Sequence, residues 1–175
     1  MSVPTTTTSQ ENVLINPKFN AEQMLLRLLE LIRSSHSIED FTPEHLSKVM
    51  RVKLDFARDG SERYGFGEAV APRWEHGFGV NRTSKGGPYF EFSFNERPLN
   101  SDPPMTDICQ IDFDRFSAEL RSMNFHEEPY YAEHGRILYH GFYRPGMTLE
   151  IGTWGEANEP TEKVGHACIH TIIIR

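Results

Sequence analysis

The segment KVGHACIHTIIIR, residues 163–175, places three residues that could bind a metal or act in catalysis at alternate positions: His166, Cys168 and His170. In a strand, alternate side chains lie on the same face, about 6 to 7 Å apart. Zinc accepts imidazole and thiolate, but one ion does not span all three side chains at that spacing. At most two of them can therefore share an ion, with His140 or His134 from the preceding hairpin as further ligands.

We favour a simpler interpretation, in which this segment is the closing strand of a sheet. The alternate residues Ala167, Ile169, Thr171 and Ile173 would then make the main contact with the core. This interpretation predicts no metal ligand, and whether His166, Cys168 or His170 has a metal role stays open.

Thiol catalysis has little support in the pattern around Cys109 and Cys168. The two cysteines form no CxxC pair, and neither has a flanking motif that would lower its pKa. We expect both to be reduced thiols, with Cys109 a small core residue on the apolar segment DICQI. Because GxSxG, GxGxxG and Walker motifs are also absent from the sequence, we predict no catalytic and no cofactor-binding residue.

Acidic and aromatic residues are mixed over the second half of the chain. Paired carboxylates beside a tryptophan suit a glycosidase only at a set separation, which the sequence does not give. Tyr and Trp side chains ringed by charge are typical of protein interfaces. We predict a partner-binding surface made of Glu127, Glu128, Tyr130, Tyr131, Glu133, Tyr139, Tyr143, Trp154, Glu156 and Glu159.

The distribution of charge favours a protein partner over nucleic acid. The chain of 175 residues has a net charge of −7, and residues 101–175 carry 6 Lys and Arg against 12 Asp and Glu. An acidic surface repels phosphate backbones and attracts a basic protein. No apolar run approaches the roughly 20 residues of a membrane helix, so we expect no membrane partner. Residues 1–17 lack the pattern of a secretory signal, which predicts a disordered leader on a cytoplasmic protein.

Helical periodicity occurs in three segments. Apolar residues recur every three to four positions over 21–35, after an Asn20 cap, and Thr42 with Pro43 begins a short helix over 43–49. A third helix is predicted over 112–124, with Asp112 as its N-cap.

The remaining segments have the period of strands. After Met50, four alternating segments predict an antiparallel meander, and a strand is expected at 107–111. A hairpin turns at residues 144–146, before the closing strand. We predict a single α+β domain over 18–175, with a largely antiparallel sheet of seven to eight strands. Its halves, 18–97 and 106–175, are joined by a Pro-rich loop.

The second half resembles the small cytosolic immunity proteins encoded beside antibacterial toxins, such as those of type VI secretion. The segments DFDRFSAEL, MNF, HGRILYHGFYRPGMTLEI and HACIHTIII carry the resemblance over roughly 70 residues: an acid-capped helix, a hairpin with an Arg-Pro-Gly-Met turn, and an apolar strand. The resemblance implies a non-enzymatic protein that binds and neutralises a toxin.

The same order of strand, helix and three strands is also similar to one module of the glyoxalase and vicinal-oxygen-chelate folds. Those enzymes pair two modules around a metal held by His and Glu. The first half of this chain has two helical segments before its strands and does not repeat the pattern. A metal-dependent enzyme or small-molecule binder of this type is therefore the alternative function.

Overall fold

A computed structural model of the chain describes residues 18–155 and 166–175. The predicted leader at 1–17 and the predicted partner-binding residues Glu156 and Glu159 lie outside the described residues. The fold is α+β, with helices packed on one antiparallel sheet of eight strands, as the sequence predicts. No helix in the described ranges combines the length and the apolar character needed to cross a membrane.

In the described part of the chain, three α-helices begin where capping residues predict. α1 spans Ala21–Arg33, α2 spans Pro43–Met50 and α3 spans Phe113–Ser122. The side chains of Asn20, Thr42 and Asp112 each accept a hydrogen bond from a backbone N–H in the first turn. Each cap satisfies a donor that the helix itself leaves unpaired, which is worth about 1 kcal/mol. Short 3-10 turns occur at Ile38–Asp40, Met105–Asp107 and Glu133–Gly135.

Within residues 18–155 and 166–175, eight strands form the sheet in the order β1-β2-β3-β4-β8-β7-β6-β5. The first four are the predicted meander, and β5, β6 and β7 form a second one. β8 lies between β4 and β7 and joins the two meanders. The strands are β1 (Asp55–Phe56), β2 (Arg63–Ala71), β3 (Trp74–Asn81), β4 (Tyr89–Glu96), β5 (His126–Tyr131), β6 (Ile137–Arg144), β7 (Met147–Gly155) and β8 (Ala167–Ile174).

One face of the sheet packs against the helices, and the other is open. Phe90, Phe92 and Phe94 of β4 are fully buried in one apolar core with the Leu and Ile residues of α1. The alternate residues of β4 lie on the opposite face, where Glu91 is exposed and Ser93 is half-buried. None of the described helices covers this second face, which we call the open face.

One sequence prediction about strands is wrong, and a second is correct for only part of a strand. The strand predicted at 107–111 does not form, because residues 105–107 turn as a 3-10 helix and the following residues lead directly into α3. In β8 the predicted core residue Ile169 is fully buried and Ala167 packs against the core, but beyond the register shift opposite Gly152 and Thr153 the buried residues are Ile172 and Ile174 rather than Thr171 and Ile173. Three consecutive isoleucines leave the alternation ambiguous, so the sequence does not define which face of β8 is buried.

Candidate functional site

Four carboxylates lie in one register row across the open face. Each carboxylate is linked to the next by residues that pair directly on neighbouring strands, and the residues between the carboxylates are small or apolar. Paired residues share a face of the sheet, so these acids project from the same side. The row, which we call the acidic row, reads Glu128, Gly141, Glu150, Ile173, Glu91, Gly79, Gly65 and Asp55 from β5 to β1.

The acids in the row are spaced for separate contacts with a partner. Neighbouring strands lie about 4.8 Å apart, so Glu128, Glu150 and Glu91 are separated by about 10 Å each. That distance is too great for a shared metal ion. Glu150 accepts a hydrogen bond from Arg175 at 2.9 Å, whereas Glu91 and Glu128 are exposed. The row therefore offers a line of negative charge that suits a basic surface.

A groove of about 530 Å³ opens over β1 to β4 on this face. Gly65, Gly77 and Gly79 form its floor, and Phe56 and Tyr89 contribute to its lining. A Cβ on Gly65 would collide with the backbone carbonyl of Phe78, so the strands approach closely only because this residue is glycine. A Cβ on Gly77 would meet nothing within 4 Å, which shows that the groove is open above this residue.

At the other end of the open face, three tyrosines form a cluster on β5 and β6. The rings of Tyr130 and Tyr139 stack with centroids 4.7 Å apart. Tyr143 donates a hydrogen bond from its hydroxyl to the hydroxyl of Tyr130 at 2.7 Å, which raises the pKa of Tyr143. Glu128 lies between Tyr130 and His126 on the same strand face, so the tyrosine cluster adjoins the acidic row.

The other described residues of the predicted surface lie elsewhere. Glu127 projects to the helix side, where it accepts a hydrogen bond from Arg121 at 2.6 Å. Tyr131 and Glu133 are exposed beyond the tyrosine cluster, towards the loop between β5 and β6. Trp154 is half-buried, packs against the core, and stacks on His170 with ring centroids 3.4 Å apart. The structure thus brings Glu128 together with three tyrosines and separates Glu127 and Trp154 from them.

A second group of reactive residue types lies where α3 begins beside β8. Cys109 and Cys168 form a disulfide, and Cys109 Sγ lies 3.8 Å from Nδ1 of His166. Nε2 of His166 is 2.6 Å from Oδ2 of Asp112, the N-cap of α3. We call these four residues the cysteine-histidine cluster.

Asp112 is held as a carboxylate by its contacts in this cluster. Burial raises the pKa of Asp112, but hydrogen bonds from the Arg115 N–H and from His166 outweigh that effect and lower it overall. The charged carboxylate therefore orients the His166 ring towards Cys109.

The disulfide overturns the prediction that both cysteines are reduced thiols. The two residues are 59 positions apart and have no local motif, so their pairing depends on the long-range packing of β8 against the segment before α3. The metal-binding residue types also group differently from the prediction. His166 and Cys168 come together with Cys109, while His170 stacks on Trp154 and His140 packs on Phe113.

Sequence reasoning missed Asp55, Glu91 and Glu150 as members of one surface. They are distant in the chain, and only the strand register aligns them. Comparison with protein-family models, with curated proteins and with solved structures gives no match. The function is therefore argued from the geometry of the open face.

Proposed function

We propose that this chain is a non-enzymatic binding protein whose open face binds a basic protein partner. The observation that carries the proposal is the acidic row, which crosses all eight strands and has the tyrosine cluster at one end. A face of this kind combines the charge that steers association with aromatic side chains that anchor a complex.

The charge on the face supports a basic partner over an acidic one. The acids of the row are joined on the same face by Glu75, which pairs with Asn95 in the register of β3 and β4. Arg63 lies on this face through its pairing with Asn81, and Arg175 lies there through backbone hydrogen bonds with Thr148; they contact the acids Asp59 and Glu150 respectively. The cations are thus largely offset locally, and the face keeps an excess of negative charge.

The aromatic residues supply the apolar contact that charge alone lacks. Stacking and a shared hydrogen bond hold Tyr130, Tyr139 and Tyr143 in place before a partner arrives. Ordered side chains lose less conformational entropy on binding, so more of the contact energy appears as affinity. The groove at the far end accepts a protruding side chain of the partner.

The resemblance of the second half to immunity proteins supports a toxin effector as the partner, bound in the cytoplasm. Neutralisation then follows from covering the basic, substrate-binding surface of the toxin. The proposal requires no catalytic residue, metal or cofactor in this chain.

The experiment measures association between this protein and the products of the genes adjacent to its own, because immunity proteins of the kind that it resembles are encoded beside their toxins. Glu91→Lys reverses one central charge of the acidic row, so the association rate should fall about tenfold at low salt and depend less on ionic strength. Surface-based kinetic measurements at several salt concentrations give both quantities.

Glu44→Lys is the matched control, because it makes the same charge change on an exposed residue of α2, on the helix side. An equal fall in rate for both variants would mean that net charge, rather than the open face, governs association. Unchanged kinetics for Glu91→Lys would remove the acidic row from the interface.

A further inference from the structure

We propose that the reduced form of this chain binds one zinc ion through Cys109, Cys168 and His166, with Asp112 as the group that orients the imidazole. The inference is independent of the proposed binding of a protein partner. It concerns the cysteine-histidine cluster, which lies beside α3 and β8 and shares no residue with the tyrosine cluster on β5 and β6.

The distances within the cluster suit a tetrahedral ion. Zn–S bonds of about 2.3 Å and Zn–N bonds of about 2.0 to 2.1 Å place neighbouring ligand atoms about 3.5 to 3.8 Å apart. Cys109 Sγ and His166 Nδ1 are 3.8 Å apart, and the three ligand atoms lie within 4.8 Å of one another. Once the S–S bond is broken, the two Sγ atoms need only move apart to the spacing of about 3.5 to 3.8 Å that two ligands of one zinc ion have.

The histidine already has the orientation of a zinc ligand. Histidines that bind zinc generally use one ring nitrogen for the metal and donate the other N–H to a carboxylate. Here Nδ1 faces the sulfur of Cys109, and Nε2 lies 2.6 Å from Oδ2 of Asp112. The other carboxylate oxygen, Oδ1, accepts the Arg115 N–H at 2.8 Å, so the orienting group is itself fixed by the helix cap.

The ligands come from two segments that the fold holds together. Cys109 precedes α3, while His166 and Cys168 lie at the start of β8, and Asp112 forms an isolated antiparallel bridge with Cys168. Both cysteines are buried and His166 is half-buried, so the ion would sit at the edge of the core. Three protein ligands leave the fourth position of the tetrahedron for water or for a ligand from a partner.

Zinc binding is coupled to the redox state because thiolates, not a disulfide, bind the metal. In the first step, two molecules of a low-molecular-weight thiol reduce the disulfide to two thiols and leave as one oxidised disulfide. In the second step, Cys109 and Cys168 each lose a proton as Zn²⁺ binds, so two protons are released for each ion. The oxidised chain lacks both thiolates and should not bind zinc.

The experiment uses the full chain and Co²⁺ as a spectroscopic substitute for zinc. The protein is reduced with a phosphine, desalted without oxygen and titrated with Co²⁺. We expect one equivalent to bind with tetrahedral d–d bands and sulfur-to-cobalt charge-transfer absorption, and Zn²⁺ to displace it. The oxidised chain should show neither absorption.

Variants separate the ligands from the orienting group. His166→Ala should abolish binding, whereas His126→Ala, which alters an exposed histidine of β5, should leave it unchanged. Asp112→Asn keeps an oxygen for the helix cap but loses the carboxylate, so affinity should fall about 10- to 100-fold.

Circular dichroism of each sample records folding. A reduced chain that takes up no Co²⁺, whether folded or unfolded, overturns the proposal. Binding that persists in His166→Ala, or in a Cys109→Ser and Cys168→Ser double variant, overturns it as well.

Discussion

His76 is a buried histidine in the aromatic part of the core. Its ring stacks with those of Phe78 and Phe92, with centroids 6.0 and 6.1 Å apart. Burial lowers the pKa of His76 to about 4, and Nδ1 has no hydrogen-bond partner among the described residues. The imidazole is therefore neutral in the folded protein at neutral pH.

The lowered pKa of His76 predicts a loss of stability in mild acid. The unfolded chain takes up a proton at this residue below about pH 6.5, whereas the folded chain does so only near pH 4. The neutral imidazole of His76 therefore contributes fully to the free energy of unfolding above pH 6.5, and this contribution decreases by about 3 kcal/mol as the pH falls to 4. Denaturant unfolding at a series of pH values measures this.

His76→Leu should remove that part of the pH dependence, while His126→Leu, at an exposed position, should retain it. Equal slopes for His76→Leu and the unsubstituted protein between pH 6.5 and 4 would contradict the assignment.

Gly77 provides a steric test of the groove. Because a Cβ there meets nothing within 4 Å, Gly77→Gln should leave stability within about 1 kcal/mol while the side chain fills the groove. We expect the affinity for the protein partner to fall at least tenfold in a direct binding assay. Gly86→Gln, in the exposed loop between β3 and β4, is the control. Full affinity of a folded Gly77→Gln protein would exclude the groove from the interface.

The sequence indicates which residues could form the tyrosine cluster, but only the strand register shows which other residues lie beside it. Tyr139 and Tyr143 are separated by an even number of positions on one strand, so their shared face can be derived from the sequence. Glu91 joins that face only through the pairing of β4 with β8, which no local pattern specifies. Trp154 follows a register shift near Gly152, which turns it towards the core.

At the scale of elements, Arg144 connects the turn between β6 and β7 to the helices. Its guanidinium donates hydrogen bonds to the carbonyl of Ile32 at 2.9 Å, in the last turn of α1, and to that of Ser35 at 2.6 Å, just after the helix. The same group lies 4.4 Å from the ring centre of Phe125. Burial lowers the pKa of Arg144, yet these acceptors compensate part of the cost of desolvation.

Arg144→Met should destabilise the protein by about 2 to 3 kcal/mol, because it leaves the buried carbonyls without their charged donor. Thermal and denaturant unfolding measure the change. Arg136→Met, on an exposed residue near the start of β6, should alter stability by less than about 0.5 kcal/mol. Similar stability of the two variants would show that the contacts of Arg144 are dispensable.

Helices were easier to predict than strand partners because their signals are local. Asn20, Thr42 and Asp112 define helix starts within one turn of sequence. The segment 107–111 has a strand-like composition, but a 3-10 turn at Met105–Asp107 and the start of α3 at Phe113 leave it too short to pair beyond the single bridge between Asp112 and Cys168. Tertiary context therefore overrides local propensity there.

For the whole molecule, the disulfide between Cys109 and Cys168 closes a segment of 59 residues that includes α3 and three strands. Cross-linking a segment of that length restricts the unfolded chain and stabilises the fold by about 4 kcal/mol in the loop-entropy model. Reduction in the presence of a metal chelator should therefore lower the free energy of unfolding by up to this amount. Denaturant titrations with and without reductant measure the difference.

A Cys109→Ser and Cys168→Ser double variant supplies the control, since reductant should not change its stability. An unsubstituted protein with the same unfolding midpoint in both conditions would show that the bond adds nothing to stability.

The position of β8 has a consequence for how the chain folds. The meanders β1 to β4 and β5 to β7 each pair residues that are close in sequence, and they form quickly. β8 must then enter between them and pair with β4, about 80 residues earlier in the chain, which carries a large loop-closure cost. Until it does, both meanders present unpaired edges, so refolding should be slowest, and most prone to aggregation, at the insertion of this central strand.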